Sequence, residues 1–212
     1  MPGCIVFLGP SADLATARAI LPAAEFRPPA ARGDIARAAA DGAPVIVLVD
    51  GVFLQDCAVG HREVLGVLKR GVTVIGASSM GALRAAELDG LGMVGVGEVY
   101  RRYRSGELES DDEVALVYDP ESGYALSEPL VNIRATLEAA VADGVVAEAD
   151  AGAVLEAAQA LYFPERTWPS ALRRAAVADE VRAALARRPV VDLKRADAIA
   201  ALEYARDRCG PV

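Results

Sequence analysis

The 212-residue sequence holds a single histidine, His61. That scarcity excludes multi-histidine metal centres such as a three-His zinc site or an HExxH helix. Any step that needs an imidazole must use His61. Cysteine is nearly as scarce: Cys4, Cys57 and Cys209 lie far apart and no CxxC occurs. Zinc ribbons, iron–sulfur runs and thioredoxin-like pairs are therefore disfavoured. An odd cysteine count suits a reducing compartment better than a disulfide scaffold, so a cytoplasmic location is expected. Basic charge is also in deficit, with 22 Lys and Arg against 30 Asp and Glu for a net charge of −8. A general nucleic-acid binder needs a basic surface to neutralise phosphate, and that class drops out. Mean hydropathy is high at +0.27, yet no apolar run approaches the roughly 18 residues of a membrane span. The N-terminus lacks the basic flank of a signal peptide, and no membrane partner is expected.

What is present is a globular composition, 53% hydrophobic and 25% charged. Residues 4–8 and 45–49 are short unbroken apolar runs, and 72–76 is one interrupted only by Thr73; all end in turns, the pattern of strands buried on both faces. Helical spacing separates them over residues 11–19, 35–40 and 59–70, and again after 81 through Leu88. Such alternation predicts an α/β fold with a small, mainly parallel sheet of three to four strands flanked by helices. Residues 90–97 are glycine-rich, and 98–104 read as a helix. Residues 113–117 and 124–126 read as a hairpin around Pro120 and Gly123. Ala-rich helical segments then run over 132–142, 149–162 and 169–187. The expected organisation is an α/β core over 1–127 and a helical extension over 128–212 packed on it.

Parallel sheets bind ligands at the carboxyl ends of their strands. Gly9, Asp50 and the Ser78-Ser79 pair all fall at such ends. The segment Ala77-Ser78-Ser79-Met80-Gly81 approximates a nucleophile elbow around Ser79, with Ala in the first glycine slot. A tight turn lifts the hydroxyl off the sheet, and the following helix N-terminus offers N–H groups to an oxyanion. A structural turn or an anion site is the plainer alternative. His61 is the one imidazole that could activate a serine or thiol. Cys57 precedes it by four residues, which would pair the two on one face if both were helical. Arg84 and Glu87 are one helical turn apart and are expected to pair, or Arg84 faces an anionic substrate. The acids Glu107, Glu109, Asp111, Asp112 and Glu113 are a cation or partner site, or a solvated loop.

Residues 76–88, GASSMGALRAAEL, make the sequence recognisable. With GPS at 9–11, PPA at 28–30, DGVF at 50–53, HREVL at 61–65, GMVGVG at 92–97, DDEVAL at 111–116, LSEP at 126–129 and VNIR at 131–134, the chain resembles the TfuA-like family. The resemblance runs in order over about residues 4–140. It implies a companion of YcaO enzymes in peptide backbone thioamidation, including that of ribosomally made natural products. The YcaO partner uses ATP to phosphorylate an amide oxygen that sulfide then replaces. ATP and Mg²⁺ belong to that partner, and no cofactor or metal is implied for this chain. A thiocarboxylated, ubiquitin-like sulfur carrier, or another sulfide donor, is a further implied partner.

Joined to the residues, the resemblance gives a hydrolase reading. Ser79 attacks the thiocarboxylate carbonyl, His61 serves as base, and Asp50 or Glu87 orients the ring. The N–H groups of Met80 and Gly81 hold the oxyanion, and Gly9, Ser78 and Arg84 contact substrate. Two alternatives stand beside it: a noncatalytic scaffold or allosteric activator of the YcaO enzyme, and persulfide transfer through Cys57. The oligomeric state is left open, a homo-oligomer included.

Overall fold

The computed structural model describes residues 3–53 and 57–209. The chain divides into two compact units, residues 1–111 with 194–212, and residues 112–193. The boundary therefore falls at 112 and not at 128. The last helix returns to the first unit instead of closing a C-terminal extension. Among the described residues no helix is long and apolar enough to cross a membrane.

The first unit is a five-stranded parallel sheet, one strand more than the widest expectation. Its strands are β1 (Ile5–Phe7), β2 (Glu25–Arg27), β3 (Val45–Leu48), β4 (Thr73–Ala77) and β5 (Val94–Val96), in the order β2-β1-β3-β4-β5. The three inner strands are those that the apolar runs predict. The two edge strands carry no such signal. β2 alternates charge around Phe26, and β5 has a glycine at its centre.

One face of the sheet packs Ile5, Phe7, Ile46, Leu48 and Val74 against α2 (Asp34–Ala40), α3 (His61–Leu68) and α4 (Met80–Leu88). The opposite face packs Val6, Val47, Val49, Ile75 and Ala77 against α1 (Leu14–Ile20) and α10 (Leu193–Cys209). Period-two alternation sends successive strand residues to opposite layers, which is why both helix layers need apolar stripes. On α10 that stripe is Ala198, Ala201, Leu202 and Ala205, all fully buried.

α10 also holds the adjoining helix α5 (Glu98–Ser105) by its N-terminus. The buried Asp197 carboxylate accepts the Glu98 N–H at 2.8 Å and the Val99 N–H at 2.7 Å. Two orphan donors of the first turn are thus satisfied from a distant helix. Gly97, at φ +96°, leaves the space for it, because a Cβ there would collide with the carboxylate. Burial raises the Asp197 pKa from its ordinary 3.8 despite these two bonds. A raised folded-state pKa means the folded chain binds this proton more tightly than the unfolded one. The stability from this group is full below about pH 4 and declines as pH rises through the raised value. Asp197→Asn is expected to remove that decline. Denaturation midpoints compared between pH 4 and 6 check this, and parallel pH slopes for the two proteins would refute it.

The second unit is helical, with α6 (Leu130–Ala142), α7 (Glu148–Gln159), α8 (Trp168–Arg174) and α9 (Asp179–Ala186). Leu130, Ile133, Leu137, Val154, Trp168, Leu172 and Leu185 form its core. The expected helix over 169–187 is two helices, broken at residues 175–178. The expected hairpin reduces to one antiparallel bridge between Tyr118 and Ala125. Ser127 supports this turn by accepting the Val117 N–H, and Pro129 takes the N-cap position of α6.

Candidate functional site

The strand order reverses direction between β1 and β3, and the carboxyl ends of these strands form the crevice where doubly wound sheets take ligands. Asp50 follows β3 at this point and is buried. One of its oxygens accepts the Gly9 N–H at 2.8 Å and the Ser11 N–H at 3.2 Å, and the other accepts the Ser11 hydroxyl at 2.7 Å. Asp50 therefore clasps the loop after β1 to the end of β3. Gly9 is small for the same reason, since a Cβ there would lie 2.5 Å from the Pro29 ring.

The serine turn sits one strand over, between β4 and α4. Ser79 N–H donates to the Ala77 carbonyl at 2.7 Å, two residues back, and the residue between them, Ser78, has φ +66°. This is a γ-turn of the strained hand. Ser78 is the sole described residue other than glycine with a positive φ, a conformation that persists only where its surroundings enforce it. Its hydroxyl is fully buried and has no hydrogen-bond partner. The strain of the elbow thus falls on Ser78, one residue before the serine on which the sequence pattern centres. The signal that points to it is Gly76, two positions earlier.

Ser79 is the N-cap of α4, with φ −122° and ψ −124°, and is 2% exposed; its hydroxyl makes no capping bond. Two glycines bring the helix against the strands. A Cβ on Gly76 would strike the Gly81 carbonyl, and one on Gly81 would strike the Leu48 carbonyl. Gly81 also donates its N–H to the Val49 carbonyl at 3.2 Å. That bond corrects the expectation that Gly81 is an oxyanion donor, because its hydrogen is committed to Val49, the residue after β3. With Ser79 and Gly81 so engaged, the Met80 N–H at the first helical position is left for that role. The Met80 side chain is buried in the core and covers Gly51.

His61 opens α3, and its half-exposed ring faces α4. Its Nε2 lies 2.8 Å from Glu87, and Arg84 Nη1 donates to the same carboxylate oxygen at 2.6 Å. Arg84 Nε donates to the Val59 carbonyl at 2.8 Å. Of the two carboxylates considered for orienting His61, Glu87 is the one at its ring, and Asp50 is turned to the β1 loop. The Arg84 guanidinium is held by protein groups on two sides and is mostly buried. Glu87 follows Ser79 by eight residues, roughly 12 Å along a helix axis. The structure therefore gathers Gly9 with Asp50, Ser78 with Ser79, and His61 with Glu87 and Arg84. It places no hydrogen bond between His61 and Ser79.

Cys57 lies in an exposed turn before Gly60, the N-cap of α3, so it shares no helical face with His61. The acidic segment is spent largely on internal pairs. Glu113 is buried and takes a two-pronged contact from Arg134 at 2.8–3.1 Å. Asp112 meets Arg166 at 2.5 Å, and Glu107 pairs with Arg102 at 3.3 Å. Among the described residues no group of three or more His, Cys, Asp or Glu could hold a metal ion.

A strained serine turn on the carboxyl rim of a doubly wound parallel sheet defines an α/β protein with an elbow-like candidate site. Residues 50–167, more than half the chain, match the family described as TfuA-like protein, and the chain belongs to that family. Proteins of this kind are partners of YcaO-type enzymes in peptide thioamidation. No curated protein matches the chain.

Proposed function

We propose that the chain releases sulfide from a thiocarboxylated, ubiquitin-like carrier for a YcaO-type partner. The observation that carries the reading is the strained turn at Ser78, whose buried hydroxyl has no partner, directly before Ser79 at the end of β4. Ser79 attacks the thiocarboxylate carbon, its proton goes to a base, and the Met80 N–H faces the oxyanion. The C–S bond breaks and sulfide leaves. Water then cleaves the acyl-serine, so the net change is thiocarboxylate plus water to carboxylate plus hydrogen sulfide. His61 is the base on this reading, oriented by Glu87 through Nε2, with Nδ1 left to take the proton. Carrier and partner binding must carry the ring toward Ser79 and open the buried turn. The inferred setting is a reducing cytoplasm, in keeping with three cysteines that are all free thiols.

Sulfide released from the thiocarboxylated carrier, in the presence of the YcaO partner, tests the scheme. Ser79→Ala is expected to lower the rate about a hundredfold or more. Unchanged release removes Ser79 as the nucleophile. A full rate in His61→Ala removes the base assignment and leaves the serine in place. A second reading rests on the same geometry: both serines are buried, and His61 is bonded to Glu87 rather than to Ser79. On it the chain is a scaffold or activator of the YcaO enzyme. Thioamidation with inorganic sulfide separates the two. If this chain becomes dispensable, delivery is its role, and continued dependence means activation.

A further inference from the structure

Two of the three cysteines line one pocket at the amino end of the sheet, the end opposite the strand termini that carry the serine turn. Cys4 stands just before β1 at the amino end of the sheet, buried in the core layer that α10 covers. Cys209 ends α10 and packs on the same layer. Both line a pocket of about 620 Å³, with Ile20, Leu21 and Ala24 as its apolar wall and Arg206 at its margin. Cys4 is 1% exposed, whereas Cys209 is part exposed. The Cys4 thiol is pushed far up by burial and by the neighbouring Cys209. Cys57 is exposed in its own turn and takes no part.

We propose that Cys4 and Cys209 are a redox site, a dithiol that closes to a disulfide and latches α10 to β1. The pocket admits a small disulfide such as oxidised glutathione to the accessible Cys209. The Cys209 thiolate attacks one glutathione sulfur, forms a mixed disulfide and releases one reduced glutathione. The Cys4 thiolate then attacks the Cys209 sulfur and releases the second. The two thiol protons end on the two released glutathione thiols, and two electrons pass to the oxidant. The high Cys4 pKa makes the second step slow at neutral pH. It also makes Cys4 a poor leaving group, so the closed latch opens slowly. The link would enclose nearly the whole chain, the loop length at which a crosslink constrains the unfolded state most.

The test uses the full chain carrying Cys57→Ser, treated with oxidised glutathione and then analysed by intact mass and peptide mapping. An internal Cys4–Cys209 crosslink, with the loss of two hydrogens, is expected. The thermal midpoint should rise by roughly 10 °C and fall back with dithiothreitol. A glutathione adduct that stops at Cys209 overturns the proposal, as does a disulfide-linked dimer. A crosslink that leaves the midpoint unmoved overturns the latch. Because the reading needs no substitution at either thiol, a misfolded Cys4 variant does not affect it.

Discussion

Arg166→Met is expected to destabilise the helical unit by about 3 kcal/mol or more. Arg166 is 1% exposed. It donates through Nε to the Ala158 carbonyl at 3.1 Å, through Nη2 to the Leu161 carbonyl at 3.1 Å, and through Nη1 to the Asp112 carbonyl at 3.2 Å. Its Nη2 also meets the Asp112 carboxylate at 2.5 Å. Methionine matches much of the volume and supplies no donor, so all three carbonyls lose the guanidinium, although Ala158 keeps the Leu161 N–H at 3.2 Å. The Asp112 carboxylate is partly exposed and recovers some hydration. The larger share of the cost therefore falls on the carbonyls. Arg166→Lys should recover little, because an ammonium cannot reproduce the planar fork. Urea unfolding and the rate of proteolysis within residues 112–193 are the measurements. A variant within about 1 kcal/mol of the parent would show that the buried guanidinium is dispensable.

Gly81→Ala should be at least as damaging, about 3 kcal/mol or more in the first unit. The added methyl runs into the Leu48 carbonyl, which belongs to the central strand and cannot retreat. The helix cannot back away either without breaking the Gly81–Val49 hydrogen bond. Gly76→Ala meets the same contact from the other side, through the Gly81 carbonyl. Each glycine is there because the other element's backbone occupies its Cβ space. Circular dichroism and a denaturation midpoint on Gly81→Ala check this. Native stability in that variant would mean α4 can ride higher on the sheet than the structure has it. Lost sulfide release in either glycine variant would report packing and not chemistry. Ser79→Ala changes no volume at this contact, so it is the cleaner probe of the turn.

The inner half of the fold is legible in the sequence because β1, β3 and β4 are buried on both faces, and double burial writes itself as consecutive apolar residues. The edge strands are not. Three residues such as Glu25-Phe26-Arg27 become a strand only because β1 offers a free edge, and no local preference records that. The return of α10 is half legible. Its stripe of Ala198, Ala201, Leu202 and Ala205 has helical spacing, but spacing does not name the sheet it will cover. The site divides in the same way. Strand-to-helix turns mark where Gly9, Asp50 and Ser79 lie. Which carboxylate meets His61, and that the Gly81 N–H is already spent, are tertiary facts. So is the strain on Ser78, since φ at a non-glycine turn residue depends on what encloses it.

Because residues 112–193 lie between the two parts of the first unit, the ribosome sets the order in which that unit is completed. The sheet, the helices on one face and α1 on the other emerge within the first 111 residues. The helix that completes the cover over Val47, Val49, Ile75 and Ala77 comes more than eighty residues later. At roughly 5–20 residues per second the half-covered sheet face waits several seconds, a long interval against the folding of most small domains. During that interval an apolar, Val-rich face of the sheet is open to chaperones or to another nascent chain. The small side chains of α10 suit a helix that arrives last, since Ala201 and Ala205 need little rearrangement of a surface already formed.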